Sequence, residues 1–289
     1  MTVPTLQTVG IIGSGTMGHG IAHVCALAGY SARLHDTDAG RLAAAMKKVA
    51  ANLDKGVEKG KLASDARDAA LSRITTHTAL DGLGECDLYV EAIPEQLAAK
   101  QALFASLDAF APTTTIYATN TSSLSVAKIA SAVRDPSRVI GTHFFNPVHI
   151  MTLLEIVVHG GTDPAVVATV QAFGASIGKE CITVRDFPGF ATSRLGVCLG
   201  MEAIRMVEQG VASAEDIDKA MVLGYRHPVG PLRLSDMVGL DVRMNIGAYL
   251  AKELNNPAFE PPEMMRRMVA EGRLGQKSGR GFYDWTDGG

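Results

Sequence analysis

The chain has 289 residues, 47% of them hydrophobic and 20% charged, with a formal net charge of −3 at pH 7. That length suits two domains, the composition suits an ordered globular protein, and the slight acidity leaves no basic footprint for nucleic acid or for a membrane surface. Cys25, Cys86, Cys181 and Cys198 are scattered without CxxC spacing, which speaks against a disulfide framework or a zinc site and for a reducing, cytoplasmic setting. No apolar run is long enough to span a bilayer, and "MTVPTLQTVGIIG" lacks the basic region and long apolar stretch of a secretory leader.

The first predicted strand, "TVGIIG", runs into a helix over 16–29, and Gly13, Gly15 and Gly18 form GxGxxG at the joint. The chemistry of dinucleotide binding asks for this arrangement. Gly13 permits the tight turn, Gly15 lets backbone approach a pyrophosphate, and Gly18 lets helix and strand pack closely. The helix N-terminus adds free N–H groups and partial positive charge. The next strand, "SARLHD", ends in Asp36, where a carboxylate can accept from an adenosine ribose and repel a 2′-phosphate, so NAD is favoured over NADP. A helix is predicted over 39–59 and the strand "LYVEAI" after it. Glu95 and Lys100 open the next helix, 95–109, either as cofactor contacts or as an exposed capping acid and a solvated lysine.

The strand "TIYATN" ends at Asn120, and a helix is expected to open through Thr121, Ser122 and Ser123. These hydroxyls fit an N-cap, but the C-terminal end of a strand on the cofactor side is also where a substrate lies, and Ser122 can bond a hydroxyl or carbonyl oxygen. His143 closes "RVIGTHFF". It admits three roles: a buried structural histidine, a metal ligand, or a general acid–base. No third clustered His or Cys supports a metal. An NAD enzyme that oxidises an alcohol must take a proton from the hydroxyl, and histidine titrates in the right range. Glu155, inside the apolar "TLLEIVV", is either its carboxylate partner or an outward-facing strand position; buried, it should be paired. The strand "CITVRD" and a helix over 164–177 complete an alternation that reads as a mostly parallel sheet covered on both faces.

From Pro188 onward only helices are predicted, near 189–209, 213–222, 231–254 and 261–271. The division expected is an α/β domain over 1–187 and an all-α domain over 188–289. "FATSRLGVCLGMEAIRMV" is apolar nearly all round and is expected to be buried on several sides. Gly196 and Gly200 would admit a close helix neighbour, within the domain or across a subunit interface. Ser213 before "AEDIDKAM" reads as an N-cap followed by first-turn acids.

Together "GSGTMGHGIA", "VEAIPE", "TNTSSL", "HFFNP", "LLEIV", "DFPGF", "VGPLRLSDMVGLD" and "KSGRGFYDW" resemble the short-chain L-3-hydroxyacyl-CoA dehydrogenase family, especially the bacterial 3-hydroxybutyryl-CoA dehydrogenases, along essentially the whole chain. The resemblance implies a Rossmann-type NAD domain and a helical domain that dimerises. It also implies reversible NAD-linked oxidation of an acyl-CoA substrate. By position, His143 matches the catalytic base, Glu155 its partner and Ser122 a substrate contact, with Asn146 beside the site. Cofactor contacts are implied for Gly13, Gly15, Thr16, Met17, Gly18, Asp36, Ala92, Ile93, Glu95, Lys100, Asn120 and Ser122. Ser193 stands where the family usually has an asparagine that approaches the substrate; its reach is shorter and it lacks the amide donor. His149 falls where relatives often have proline and receives no role. The phosphates of CoA call for basic residues, and Lys55 and Lys59 share one helix face. Two other readings remain open: a dehydrogenase of a non-CoA hydroxy acid, and a catalytically idle NAD-binding protein.

Overall fold

The computed structural model describes residues 6–286. They form two compact units that divide after Phe187. In the first, eight strands lie in the order β3-β2-β1-β4-β5-β6-β7-β8. The first six by sequence are β1 (Thr8–Ile12), β2 (Ser31–His35), β3 (Ile74–His77), β4 (Leu88–Glu91), β5 (Ile116–Thr119) and β6 (Val139–Phe144), all mutually parallel. β7 (Leu153–Val158) returns antiparallel to β6, and β8 (Glu180–Arg185) runs parallel to β7.

Helices α1 (Gly18–Leu27), α2 (Ala39–Glu58), α3 (Ser64–Ser72), α4 (Leu97–Asp108), α5 (Val126–Ala130) and α6 (Pro164–Ser176) supply the connections. Every residue of β4, β5 and β6 is buried, as central strands covered on both faces must be, and apolar side chains therefore dominate them. Ile11, Ile21, Leu34, Val90 and Ile140 belong to one continuous core, each worth roughly 1.5–3 kcal/mol of transfer free energy when fully buried.

Two elements of this unit have no counterpart in the periodicity. β3, with sequence ITTH, is a short edge strand with a single buried residue, Ile74, so it carries little apolar signal. α3 buries only Ala70. A third difference concerns the segment after β5: the helix does not open through residues 121–123 but begins at Val126, with the Ser125 side chain accepting from Lys128 N–H as its cap.

The second unit is helical: α7 (Thr192–Glu208), α8 (Ala214–Tyr225), α9 (Pro231–Val238), α10 (Leu240–Leu254) and α11 (Glu263–Ala270). The stretch expected as one helix over 231–254 is two, broken at Gly239, whose φ of +102° only glycine adopts readily. Ser213 caps α8 by accepting from Asp216 N–H, with Glu215 and Asp216 in the first turn. α7 is one-sided rather than enclosed: Val197, Met201 and Ile204 face the core while Leu195 is 72% exposed. Gly200 makes room for Arg243 and Ser235, whereas nothing stands against Gly196. Asp236, wholly buried, gathers the end of the chain by accepting from the N–H groups of Phe282 and Tyr283 and from Trp285 Nε1.

Candidate active site

The glycine-rich turn joins β1 to α1. Gly13 has φ +97°, and a Cβ there would meet Ala92 O at 2.6 Å. At Gly18 a Cβ would fall 1.7 Å from Gly13 O, so the turn closes only without one. Gly15 faces open space instead, with nothing within 4 Å of the corresponding position. Thr16 is exposed beside it, and Met17 occupies the N-cap of α1 without a side-chain hydrogen bond, so no side chain competes for the helix N-terminus. Asp36, just past β2, accepts from both Ser14 N (3.0 Å) and Ser14 Oγ (2.8 Å) at Oδ2. Its other oxygen has only Asp38 N, at 3.2 Å, and keeps capacity for a ribose hydroxyl. Burial pushes the Asp36 carboxyl up, but the Ser14 and Asp38 hydrogen bonds outweigh it and hold the group below the usual carboxylate range. An open, uncapped helix start beside an ionised carboxylate fits a dinucleotide without a 2′-phosphate, which is NAD.

The ends of β4 and β5 are tied by two carboxylates. Glu91, fully buried at the end of β4, accepts from Lys100 Nζ (2.6 Å), Thr119 Oγ1 (2.6 Å) and Ile93 N (2.7 Å). Burial pushes its carboxyl up, and Lys100 with the other donors pulls against that. Lys100 is itself fully buried, so the picture of a solvated lysine fails: its ammonium also reaches Ile93 O (3.3 Å) and Glu95 Oε2 (3.3 Å). Glu95 is not a free capping acid either. Its Oε1 collects Thr121 Oγ1 (2.5 Å), Ser122 N (2.9 Å) and, at longer range, Ser123 N (3.3 Å), which ties down the hydroxyl-bearing loop. Asn120, between the two, accepts from Phe144 N with its Oδ1 (2.9 Å) and so fastens the end of β5 to β6. Ala92 and Ile93 form the half-buried turn facing Gly13.

His143 lies on β6 and Glu155 on β7, directly opposite each other in the antiparallel register. Glu155 is fully buried and His143 is 7% exposed. His143 Nδ1 and Glu155 Oε2 are 2.6 Å apart, a charge-assisted hydrogen bond across the pair of strands. The outward-facing alternative for Glu155 is thereby removed. Ser122 is half-buried at the end of the adjacent strand β5, and Asn146 is exposed in the turn after β6. Ser193 is half-buried in the first turn of α7, in the second unit.

Lys55 on α2 and Lys59, its C-cap, are exposed and line a cavity of about 760 Å³ together with Lys61, His23 and His149. His149, expected to be a bystander, stacks on His23 of α1 with ring centroids 5.2 Å apart and planes within 10°. Sequence reasoning missed this pairing, as it missed Ser14 and Glu91. A carboxylate ending a fully apolar strand, as in "LYVE", was the available signal for Glu91.

Comparison with known proteins gives the family. Residues 8–187 match the family model described as 3-hydroxyacyl-CoA dehydrogenase, NAD binding domain, and residues 189–285 match 3-hydroxyacyl-CoA dehydrogenase, C-terminal domain. The chain is 41% identical over 282 residues to a 3-hydroxybutyryl-CoA dehydrogenase of Mycobacterium tuberculosis, covering 97% of this chain and 99% of that protein. It is 41% identical to the mitochondrial hydroxyacyl-coenzyme A dehydrogenase of Sus scrofa, covering 97% and 91% of the two chains. Among solved structures, the (S)-3-hydroxybutyryl-CoA dehydrogenase of Ralstonia eutropha superposes with a TM-score of 0.94 at 38% identity, over 98% of this chain and all of that one (100%). The chain belongs to the 3-hydroxyacyl-CoA dehydrogenase family of NAD-dependent oxidoreductases.

Proposed function

We propose that the protein oxidises a short-chain L-3-hydroxyacyl-CoA, such as 3-hydroxybutyryl-CoA, to the 3-ketoacyl-CoA, reversibly, with His143 as acid–base. The observation that carries this reading is the buried His143–Glu155 pair at the sheet edge where the glycine-rich turn also lies. With Nδ1 engaged by Glu155, Nε2 of His143 is the nitrogen that takes the proton of the C3 hydroxyl. Glu155 fixes the tautomer and stabilises the imidazolium. NAD, when bound, accepts the hydride. In the reverse direction the imidazolium of His143 returns its proton to the developing alkoxide. Ser122 is assigned to the substrate oxygen, Ser193 to a substrate contact and Asn146 to the wall of the site, while Lys55 and Lys59 meet the CoA phosphates. Glu95, Lys100 and Asn120 shape the cofactor side.

Residues 1–187 form the NAD-binding domain and also carry His143, Ser122, Asn146, Lys55 and Lys59, while residues 188–289 serve substrate and assembly. The second unit exposes Leu195, Leu223, Tyr225, Met237, Val238 and Val242, a load of apolar surface that supports pairing with a second copy. No helix among the described residues is long and apolar enough to cross a membrane, and the setting we infer is the cytoplasm.

The test is steady-state NAD reduction with 3-hydroxyacyl-CoA esters of increasing chain length beside free hydroxy acids. Turnover should be highest with a short acyl-CoA. Turnover of free hydroxy acids alone would overturn the reading.

A further inference from the structure

Within the helical unit, a cation lies buried between α7 and α10 without an anion. Arg243, on α10, is 4% exposed. Its Nη1 donates to the backbone oxygen of Gly196 on α7 at 2.5 Å. Its Nε, out of reach of solvent, has no hydrogen-bond partner. Burial with no neighbouring charge to offset it brings the guanidinium down to about 10, so it stays charged at pH 7. The acids close to it in sequence are engaged elsewhere: Asp236 by Phe282 N, Tyr283 N and Trp285 Nε1, and Asp241 by Lys277 Nζ. The Ser235 hydroxyl beside it donates to Pro231 O at 2.6 Å.

Two glycines of α7 make the room for this side chain. A Cβ on Gly200 would meet Arg243 Nη1 at 2.6 Å and Ser235 Oγ at 3.2 Å. At Gly196 nothing lies within 4 Å of the corresponding position, so open space adjoins the residue whose carbonyl holds Nη1. Ser193, Gly196 and Gly200 are spaced i, i+3 and i+7 and share one face of α7. Gly196 is about 4.5 Å along the helix axis from Ser193. An apolar side chain would fill the space beside Gly200 without the cost of burying charge. A guanidinium there is explained by an anion that the chain itself does not supply.

We propose that Arg243 reads a carboxylate at the far end of the acyl chain, so that the preferred substrates are CoA thioesters of 3-hydroxy diacids. The proposal rests on the acyl-CoA reading of the substrate and on Ser193 as one of its contacts. An acyl chain that leaves Ser193 along this face of α7 passes Gly196, where the missing side chain gives it room, and ends at the guanidinium. The planar fork of arginine matches a carboxylate, and their pairing in a site with little water is stronger than at the surface. A methyl-ended chain of the same length leaves the buried charge uncompensated. Selectivity then comes from the group the wrong substrate lacks.

The test is steady-state NAD reduction by the full-length protein with 3-hydroxyadipyl-CoA and 3-hydroxyhexanoyl-CoA, chains of equal length that end in a carboxylate and a methyl group. Wild-type kcat/KM should favour the diacid thioester roughly 10- to 100-fold. In Arg243→Met that ratio should fall to about one. Arg243→Lys, a point charge without the fork, should keep part of it. A merely structural Arg243 would lower both substrates together, so the ratio decides and not the activity. Should Arg243→Met fail to fold, the ratio in Arg243→Lys decides in its place. No preference for the diacid in the wild type, or the wild-type ratio retained in the variants, overturns the proposal. A retained ratio with an altered oligomeric mass assigns the guanidinium to a contact between copies and overturns it equally. If neither thioester is turned over, the acyl-CoA reading falls as well; if both are turned over with equal efficiency, only this inference falls.

Discussion

Glu155 faces His143 across the antiparallel β6–β7 pair, its Oε2 2.6 Å from His143 Nδ1. The relationship depends on the single reversal of direction in the sheet. A parallel partner would need a long crossover, whereas the antiparallel return through residues 145–152 sets the next strand beside β6 at once. Side chains alternate between faces, so a slip of one residue would set Leu154 or Ile156 opposite His143 and turn Glu155 to the other face. The apolar neighbours of Glu155 on β7 are therefore what hold the carboxylate in place.

His143→Gln is expected to lower turnover by about 10²- to 10⁴-fold while NAD affinity and the melting temperature stay near wild type. Glu155→Gln keeps an acceptor oxygen but removes the carboxylate charge that stabilises the imidazolium, about 1.5–3 kcal/mol, and should lower turnover by roughly 10- to 100-fold. Turnover in His143→Gln close to wild type would refute its role as base; unchanged turnover in Glu155→Gln would demote that residue to a structural group.

Two glycines of one turn should respond differently to the same change. A Cβ on Gly18 would lie 1.7 Å from the backbone oxygen of Gly13, so Gly18→Ala should disrupt the turn and lower the melting temperature. Gly15→Ala places its methyl in open space, so the fold should persist while NAD affinity falls. Melting curves and NAD titrations on both variants separate the effects, and a matched loss of stability in the two would contradict this division.

Burial raises the Glu95 carboxyl, but Lys100 and the donors of residues 121–123 outweigh it and hold the group below its ordinary value. A depressed carboxyl contributes stability that is fully present above its unfolded pKa of about 4.3 and disappears as pH falls through the lower folded value. Glu95→Gln should therefore be less stable than wild type at pH 6, with the gap closing as the solution is acidified. Denaturant unfolding at several pH values measures it. A gap that widened with acidification would show the sign to be wrong.

Lys100 and Glu91 are both buried, and removing one member of such a pair leaves the other uncompensated. Lys100→Met should cost about 3–5 kcal/mol. Adding Glu91→Gln to it should recover part of that loss. Unfolding of the single and double variants gives the coupling, and purely additive losses would mean that the two groups do not act as a pair.

Much of the fold is legible in the sequence because its central strands are continuous apolar runs and its first turn is a glycine pattern with one physical use. The reading fails where that signal thins. β3 is a polar edge strand, and the break at Gly239 interrupts a pattern that stays helical on both sides. At the site, His143 and Glu155 could be paired because a buried carboxylate demands a partner. Ser14 and Glu91 escaped notice because their importance comes from contacts made across elements, to Asp36 and to Lys100 and Thr119. The stack of His23 on His149 spans residues far apart in sequence and is set by the close approach of Val148 to Gly20, which no periodicity encodes.

The double use of Asp36 bears on attempts to re-engineer this protein for NADP. The carboxylate that would be replaced to admit a 2′-phosphate also receives both donors of Ser14 and so anchors the glycine-rich turn. If Asp36 meets the ribose as proposed, a swap at position 36 alone removes a selectivity barrier and a structural strut together, and leaves Ser14 N–H and its hydroxyl without their acceptor. A successful cofactor switch must redesign positions 14 and 36 jointly, and cofactor preference in this scaffold is coupled to loop integrity rather than freely adjustable.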